Sequence, residues 1–393
     1  MTIKLESSTH ARIIGVLSVC TLVTILIVGL WPFQAPLNDV SWLDNENGLR
    51  FGHHGSLLSS SAFRPRSAEN TGAGTLEVWL ETIPQKGRRT ILAFEGLDRS
   101  GVPFSLQQNG DTLIVQRHNV DENGTYRTAE FSVAGALPAK KQVFVAVTLE
   151  SQETSVYLNG GLVKTSQIQG KPASSFAGRL VLGNSPSASD SWSGQVAGLA
   201  LYGRRLEAAE VSRHYENWTK NLQPALTHGE GAITAYLFAE RGGRVVHNQV
   251  DAAADLTIPA RYFVLHPEFL SVPWQHYHPT WSYWADAAIN VAGFITFGFS
   301  IFGYFSSVRT IRNSAAITIA LGLITSLTIE VSQAFLPTRD SGVNDLITNT
   351  IGTAIGVMLY RSSWLQTLVS RAASLIAPSP SGTIENVEVG SQI

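Results

Sequence analysis

The chain has 393 residues, and at ~150 residues per domain this length predicts two or three units. Charged residues make up 15% of the chain, against a typical ~25%, and hydrophobic residues make up 44%, so part of the chain is expected to lie outside water. The balance of 28 basic and 30 acidic residues, with no basic stripe, excludes a nucleic-acid-binding protein. Cys20 is the only cysteine, which excludes a disulfide framework and a thiolate zinc site.

The N-terminal segment predicts a membrane anchor. Residues 13–31 are almost wholly apolar, close to the ~20 residues that span a hydrocarbon core, and no Ala-x-Ala cleavage site follows Trp31. Most of the apolar stretch follows Cys20, so lipidation of this cysteine is not expected. Residues 1–38 are therefore predicted to form a cytoplasmic tail and an uncleaved signal-anchor helix.

From residue 39 the pattern changes to short alternating runs separated by Gly, Asn, Ser and Pro, which is typical of antiparallel strands. Asn-Gly pairs at 123–124 and 159–160 indicate hairpins, because both central residues of a type I′ turn need positive φ. Many such strands predict an all-β sandwich. The strand candidates are residues 75–81, 104–106, 112–115, 143–147, 155–158 and 179–182.

Within this region, residues 39–218 resemble a laminin-G-like domain of the concanavalin A-like jelly-roll class. Such domains mostly bind glycans or proteins, so the resemblance implies a cell-surface polysaccharide or an envelope protein as partner. Some members are glucanases with a Glu-x-Asp-x-x-Glu strand, and this spacing is absent here. The resemblance is carried by an opening strand (48–51), an "EVW" strand (75–80), a hairpin (157–160), a closing strand (192–202) and a following helix (206–218).

Glu77, Trp79 and Glu81 alternate along one predicted strand, so their side chains share a face of the sheet. An aromatic ring between two carboxylates could stack on a sugar and bind its hydroxyls, which makes these residues glycan-binding candidates. The alternative is an amphipathic outer face with a packed tryptophan. We prefer this alternative, because single surface aromatics are ordinary.

Residues 219–282 are predicted to be an extracytoplasmic connector with short β pieces, such as 235–238 and 244–247. The spacing of its histidines at 247, 266, 276 and 278 matches no zinc pattern, so no metal or cofactor is expected. Aromatic residues crowd its C-terminal end, as in the belt at a membrane–water boundary. These aromatic residues are Trp274, Tyr277, Trp281, Tyr283 and Trp284.

The C-terminal region has long uncharged stretches that predict membrane helices near 285–307, 314–336 and 343–361, about four helices with the N-terminal anchor. Basic residues precede the first helix, separate the second from the third and follow the last, so the positive-inside rule puts these segments in the cytoplasm. Residues 39–282 are then periplasmic or extracellular, and residues 363–393 form a cytoplasmic tail.

Polar residues repeat at i, i+4, i+7 on all three C-terminal helices, a spacing that stacks side chains on one helix face. By helical rise and predicted topology, these stripes and the loop residue Arg339 occupy one layer of the outer leaflet. Intramembrane carboxylates are costly and by default functional, although polar helix contacts and N-capping are alternatives. The stripes are Asp286/Asn290/Gly293, Ser326/Glu330/Gln333 and Asp345/Asn349/Gly352.

Residues 281–360 resemble the VanZ-like membrane family, whose members carry Glu-x2-Gln, a loop Arg, Asp-x3-Asn and Gly-x3-Gly in this order. The preceding helix also matches at Asp286 and Asn290, although Thr296 stands where the family often has proline. The resemblance implies a bacterial inner-membrane protein of a family linked by name to glycopeptide-antibiotic resistance. The residues that match one by one are Glu330, Gln333, Arg339, Asp345, Asn349, Gly352 and Gly356.

The sequence thus predicts a multidomain envelope protein, with a jelly roll outside the membrane and a three-helix membrane module at 283–362. In the preferred hypothesis the jelly roll binds a glycan, while the polar layer binds a membrane lipid or a lipid-linked glycan. Arg339 pairs with its phosphate, and the carboxylates hold a cation or proton. The amides that hydrogen-bond the head group are those of Asn290, Gln333 and Asn349. In one alternative Glu330 is the general base of an enzyme; in another the stripes only join helices and the jelly roll is a docking scaffold.

Overall fold

Strands and long helices occupy different parts of the computed structural model, which describes residues 2–64, 72–97, 101–120, 126–168, 171–172, 176–186, 190–221, 231–250, 254–267, 269–272, 281–308, 313–339 and 341–362. The chain divides into a helical unit (Met1–Trp31, Phe269–Gln333 and Ser341–Ile393) and a β unit (Pro32–Glu268 and Ala334–Asp340). Several predicted features lie outside the described residues: the 123–124 turn, Trp274, Tyr277, His276, His278, and the basic residues at 309, 312 and 371.

The first sheet of the β unit contains the strands that carry the "EVW" and hairpin motifs. At the hairpin turn, Asn159 and Gly160 have φ values of 49° and 81°, as a type I′ turn requires. In spatial order the described strands are β1 (Val40–Trp42), β2 (Leu49–Phe51), β14 (Gly194–Tyr202), β4 (Gly74–Thr82), β9 (Gln142–Leu149), β10 (Glu153–Leu158) and β11 (Gly161–Gln167), with β15 (Ala232–Tyr236) also paired to β14.

The second sheet packs face to face on the first. In spatial order its described strands are β12 (Lys171–Pro172), β7 (Thr112–Val120), β6 (Phe104–Asn109), β5 (Arg88–Glu95), β13 (Arg179–Leu182), β3 (Leu57–Ser59), β17 (Leu256–Thr257) and β16 (Val245–Val246), with β8 (Tyr126–Val133) also paired to β7.

Alternation along the strands builds the core between the two sheets. In β4, Leu76, Val78 and Leu80 point into the core and are at most 1% exposed. The residues between them point to the opposite face, because successive side chains of a strand alternate. The predicted strands, the hairpin at 159–160 and the all-β sandwich are therefore confirmed.

Helix α2 (Ala208–Asn221) covers the outer face of the first sheet. The predicted helix over 206–218 is thereby confirmed. Its apolar residues, among them Val211 and Trp218, pack against Phe144 of β9 and Tyr202 of β14. The face of β4 that carries Glu77 and Trp79 is thus an interface between a sheet and a helix.

The segment predicted as a connector contributes strands to both sheets. β15 pairs with β14 of the first sheet, and β17 pairs with β3 of the second. Sequence patterns gave the short β pieces of this segment, but not their partners.

The helical unit contains α1 (Thr2–Leu30), α3 (Trp281–Val308), α4 (Ser314–Gln333) and α5 (Val343–Arg361). Within the described residues, three helices are long and apolar enough to cross a membrane: Ala11–Leu30, Trp284–Ser307 and Ser314–Gln333. The sequence predicts α5 as a fourth membrane helix, but α5 is not among these three. Its N-terminal half carries Asp345 and Asn349, and three threonines follow from position 348 onward.

Glycines permit close contact between α3 and α5. A Cβ atom on Gly352 would lie 2.5 Å from the carbonyl oxygen of Val291, and one on Gly356 would lie 2.2 Å from that of Ile295. Gly293 differs, because a Cβ there would meet nothing within 4 Å. The expectation of close helix approach is confirmed at Gly352 and wrong at Gly293, although both end the same Asp-x3-Asn-x2-Gly pattern.

Candidate functional site

An aromatic pocket lies on the outer face of the first sheet, where β4, β9 and β14 meet α2. The indole rings of Trp79 and Trp218 are parallel, with centroids 6.0 Å apart and an interplanar angle of 9°. Gln142 accepts a hydrogen bond of 3.0 Å from Nε1 of Trp79. The cavity has a volume of about 60 Å³ and is also lined by Glu46, Asn47 and Ala197.

Trp218 lines this pocket and is itself buried. Its side chain is 3% exposed, and its Nε1 has no hydrogen-bond partner among the residues that the structure describes. A buried donor left without a partner costs free energy, so such atoms in native proteins usually meet water or a ligand. The pocket lining combines aromatic rings, two amides and a carboxylate, a set suited to a hydroxylated ligand.

The helix that carries Trp218 is fixed at its start by Glu210. Its carboxylate accepts hydrogen bonds of 2.7 and 2.9 Å from the guanidinium of Arg204, and a third from the backbone N–H of Glu207. The Arg204 hydrogen bonds are the main reason that the pKa of Glu210 falls to about 2. This arrangement resembles a capping box, in which a glutamate in the first turn of a helix accepts a hydrogen bond from the backbone N–H of the residue just before the helix.

The structure separates the three residues predicted on β4. Glu77 is fully buried beneath α2, where its carboxylate meets Nδ1 of His214 at 2.8 Å and the hydroxyl of Tyr202 at 3.2 Å. Trp79 is half-buried in the pocket, and Glu81 is half-buried outside the pocket lining. The shared face is as expected, but its cover by α2 means that Glu77 is not open to a ligand.

A second set of polar residues lies inside the helical unit, between α4 and α5. Nδ2 of Asn349 donates a 2.9 Å hydrogen bond to Oγ of Ser326. Glu330 is 1% exposed, and its Oε2 accepts a 2.8 Å hydrogen bond from the backbone N–H of Gly342. The hydroxyl of Ser341 also hydrogen-bonds to Glu330. Glu330 of α4 thus holds the residues at which α5 begins.

Gln333 extends this polar set to α1. Its Nε2 donates a 2.7 Å hydrogen bond to the carbonyl oxygen of Gly29. Its Oε1, like Oδ1 of Asn349, is buried without a hydrogen-bond partner among the described residues. Asp345 is half-buried and close enough to Glu330 for charge repulsion. These acceptor oxygens give the interior of the helical unit a surplus of hydrogen-bond acceptors.

The other predicted members are not joined to this set. Asp286 is exposed and Asn290 is half-buried, and within the described residues neither is hydrogen-bonded to Glu330 or Asn349. Arg339 is exposed and belongs to the segment Ala334–Asp340 of the β unit. Among the residues that the structure describes, no group of three or more His, Cys, Asp or Glu could hold a metal ion.

Sequence analysis missed several residues of both sites. Glu46, Asn47 and Gln142 lie in separate segments, and no local spacing joins them to Trp79. Trp218 ended the predicted helix, and its position on the apolar side of that helix was the available signal. Ser341 and Gly342 could not be recognised from the sequence, because Ser341 contacts Glu330 through a hydroxyl and Gly342 contacts it through a backbone N–H.

Family models match both units of the chain. Residues 55–212 match a laminin-G-type model of the concanavalin A-like lectin/glucanase superfamily, and residues 235–366 match the VanZ/LLP1 family. The chain is a fusion of a concanavalin A-like domain and a VanZ-like domain. The VanZ-like match begins at residue 235, earlier than the resemblance seen from residue 281. No curated protein matches the chain by sequence.

Solved structures similar to the concanavalin A-like domain include the binding domain of botulinum neurotoxin serotype D, at 15% identity and a TM-score of 0.33, covering 46% of this chain and 45% of that chain. A Ruminococcus gnavus IT-sialidase CBM40 bound to alpha2,3 sialyllactose matches at 13% identity and a TM-score of 0.32, covering 43% of this chain and 96% of that chain. The matched part spans about half the length of the toxin domain.

Proposed function

We propose that this protein is a membrane-anchored glycan receptor of the bacterial envelope. Its concanavalin A-like domain binds a cell-surface carbohydrate, and its VanZ-like helices bind the head group of a lipid-linked glycan. The observation that supports this best is the pocket of Trp79 and Trp218, where aromatic rings adjoin the amides of Asn47 and Gln142 and the carboxylate of Glu46. Residues 39–282 lie outside the cytoplasm in this proposal.

The size of the pocket suggests which part of a glycan enters it. A volume of about 60 Å³ is far below the roughly 300–1,000 Å³ that is usual for small-molecule sites, so a whole sugar is not expected to enter. A pendant group, such as a hydroxymethyl or acetamido group, fits this space. The ring of the sugar then stays outside, against the half-buried Trp79, with Asn47 and Gln142 in reach of its hydroxyls.

A glycan array tests this site with the purified protein in detergent. Asn47→Ala and Gln142→Ala remove polar groups from the pocket rim, and Asn109→Ala removes an exposed amide from the other sheet. We expect the two rim variants to lose hits that the Asn109 variant keeps. Equal binding by all three variants, or an array without hits, would contradict a glycan-binding function of this pocket.

The VanZ-like helices receive a ligand mainly through their accessible polar residues in this proposal. Asp286 and Arg339 are exposed and Asp345 is half-buried, so these residues contact the head group. Arg339 pairs with phosphate, because guanidinium groups bind phosphate oxygens in a bidentate manner. Glu330, Gln333 and Asn349 join the helices that shape the site, and Glu330 retains or exchanges a proton there.

The enzyme alternative makes Glu330 a general base toward a lipid-linked glycan. Because Oε2 of Glu330 is hydrogen-bonded to Gly342, the base would be its other carboxylate oxygen. Incubating the purified protein with a lipid-linked glycan distinguishes the two functions. Binding without a change in the mass of the glycan supports the receptor, whereas turnover that Glu330→Gln abolishes supports the enzyme. An effect on glycopeptide resistance would follow if the bound lipid is a cell-wall precursor.

A further inference from the structure

A large apolar groove lies in the helical unit between α1, α3 and α4. Its volume is about 1050 Å³, at the upper end of the roughly 300–1,000 Å³ that is usual for small-molecule sites. Its lining is almost wholly apolar or aromatic and includes Val19, Leu22, Tyr304 and Leu321. Among the described residues of this lining, Arg12 is the charged one.

The groove has the length of one membrane leaflet. Along α1 its lining runs from Ala11 and Arg12 to Leu22, ten residues beyond Arg12, which is ~15 Å at 1.5 Å per residue. This is half of the ~30 Å hydrocarbon core that α1 is long and apolar enough to cross. Arg12 therefore lies at one end of an apolar groove about one acyl chain long.

The charge at the end of the groove selects an anionic occupant. Arg12 is exposed, and the structure describes no carboxylate paired with it. The part of the lining that the structure describes contains no acidic residue. A guanidinium binds a phosphate through two parallel hydrogen bonds, and basic residues at a membrane surface attract anionic lipids.

We propose that this groove binds one anionic glycerophospholipid from the leaflet that contains Arg12, with an acyl chain against α1, α3 and α4 and the phosphate on the Arg12 guanidinium. Within the described residues, the groove shares no lining residue with the glycan pocket or with the Glu330 set. The lipid would fill the gap between α1 and α3 that the groove leaves.

Photo-crosslinking of the full chain in vesicles tests this proposal. The probes are phosphatidylglycerol and phosphatidylcholine that carry a diazirine on one acyl chain, and mass spectrometry maps the labelled peptides. We expect phosphatidylglycerol to label residues 11–22 and 301–307, about fivefold more than phosphatidylcholine does, the ratio that one basic residue at a membrane supplies. Equal labelling by both lipids, or chain-to-chain adducts in place of lipid adducts, would overturn the proposal.

Matched variants separate the two parts of the site. Arg12→Gln should remove the preference for phosphatidylglycerol, while Arg361→Gln, which changes an exposed arginine outside the lining, should keep it. Val19→Trp fills the groove and should lower labelling of these peptides by both lipids. Val23→Trp adds the same bulk at an exposed position outside the lining and should not lower this labelling. If Val19→Trp and Val23→Trp are labelled equally at these peptides, the lipid does not lie in the groove.

Discussion

Glu77 and His214 form a fully buried pair that joins strand β4 to helix α2. Oε1 of Glu77 lies 2.8 Å from Nδ1 of His214, and the other carboxylate oxygen accepts a hydrogen bond from the hydroxyl of Tyr202. Buried polar groups of this kind stabilise a structure only while all partners are present. Because α2 also carries Trp218, the position of this tryptophan in the aromatic pocket depends on the pair.

Removing one partner of this pair should strongly destabilise the β unit. Glu77→Ala leaves His214 and Tyr202 buried without their acceptor, and we expect a loss of about 3–5 kcal/mol in the free energy of unfolding. Glu81→Ala, at a half-buried position on the same strand face, should change it by about 0.5 kcal/mol or less. Urea unfolding in detergent, followed by circular dichroism of the β signal, measures both values. Similar values for the two variants would contradict the structural role of Glu77.

The low pKa of Glu210 predicts a pH dependence of stability. Its pKa falls from 4.5 to about 2 in the folded protein, so the unfolded chain binds a proton first as the pH drops. The stabilisation is therefore complete above about pH 4.5 and is lost as the pH falls toward 2. Glu210→Gln should be less stable than wild type at pH 7, and the two should converge near pH 2.

Glu216→Gln is the control for this comparison of stability between pH 7 and pH 2. Glu216 lies on the same helix, and its ion pair with Lys220 is 60–71% exposed. Exposed pairs contribute little to stability, so this variant should follow wild type at every pH. A Glu210 variant that also follows wild type would contradict the stabilising role of the Arg204 pair.

Sequence patterns predicted local elements well and long-range partners poorly. The strands around Val78 and Val145 follow from alternation, and the turn at Asn159 follows from its need for positive φ. The pairing of β15 with β14 joins segments that are far apart in sequence, and no local pattern specifies such a partner. The same limit explains why α2 was predicted as a helix, but its position over Glu77 was not.

The repeated Asp-x3-Asn-x2-Gly pattern shows a second limit of sequence analysis. Both copies have the same helical spacing, yet Gly352 contacts the α3 backbone, and a Cβ on Gly293 would meet nothing within 4 Å. Spacing determines which residues share a helix face, but not the helix that this face meets. Asn349 is buried against Ser326 for the same reason, while Asn290 is only half-buried.

The glycines of α5 and α3 differ in the space around them, as Gly356 and Gly293 show, and this difference gives a direct prediction. Gly356→Ala would bring a Cβ to 2.2 Å from the carbonyl oxygen of Ile295 and 2.7 Å from the backbone nitrogen of Phe299, so α3 and α5 must separate. Gly293→Ala has open space and should be tolerated. Thermal unfolding in detergent, followed by helical circular dichroism, should show a lower melting temperature for the Gly356 variant alone. Equal melting would contradict the close contact of the two helices.

The β unit should fold without the membrane helices. Residues 39–282 contain its strands and α2 and bury a core between two sheets. We expect this fragment to be soluble, with a β-rich circular dichroism spectrum. Its melting should not change with reducing agent, because Cys20 lies outside it. A helical spectrum or an insoluble product would contradict its independence.

Glu330→Gln separates a ligand site from a contact that only joins helices. Glutamine is nearly isosteric with glutamate, and its Oε1 can still accept the hydrogen bonds of Gly342 and Ser341, so the helical unit should assemble in either case. Hydrogen bonds between membrane helices average about 0.6 kcal/mol, so a purely structural residue should tolerate the change. A residue that exchanges a proton, or interacts with a ligand through its charge, should not tolerate the change.

The receptor proposal therefore predicts that Glu330→Gln melts like wild type but no longer binds a lipid-linked glycan. Arg339→Ala and Asp345→Asn should behave alike, because they remove the partner of the phosphate and the second carboxylate. Thr328→Ala, at an exposed position of α4, is the control and should retain binding. Melting curves establish that each variant is folded, and binding to lipid-linked glycan in detergent gives the functional result. If the three site variants fold and bind as wild type does, these polar residues only hold the helices together and the ligand site lies elsewhere.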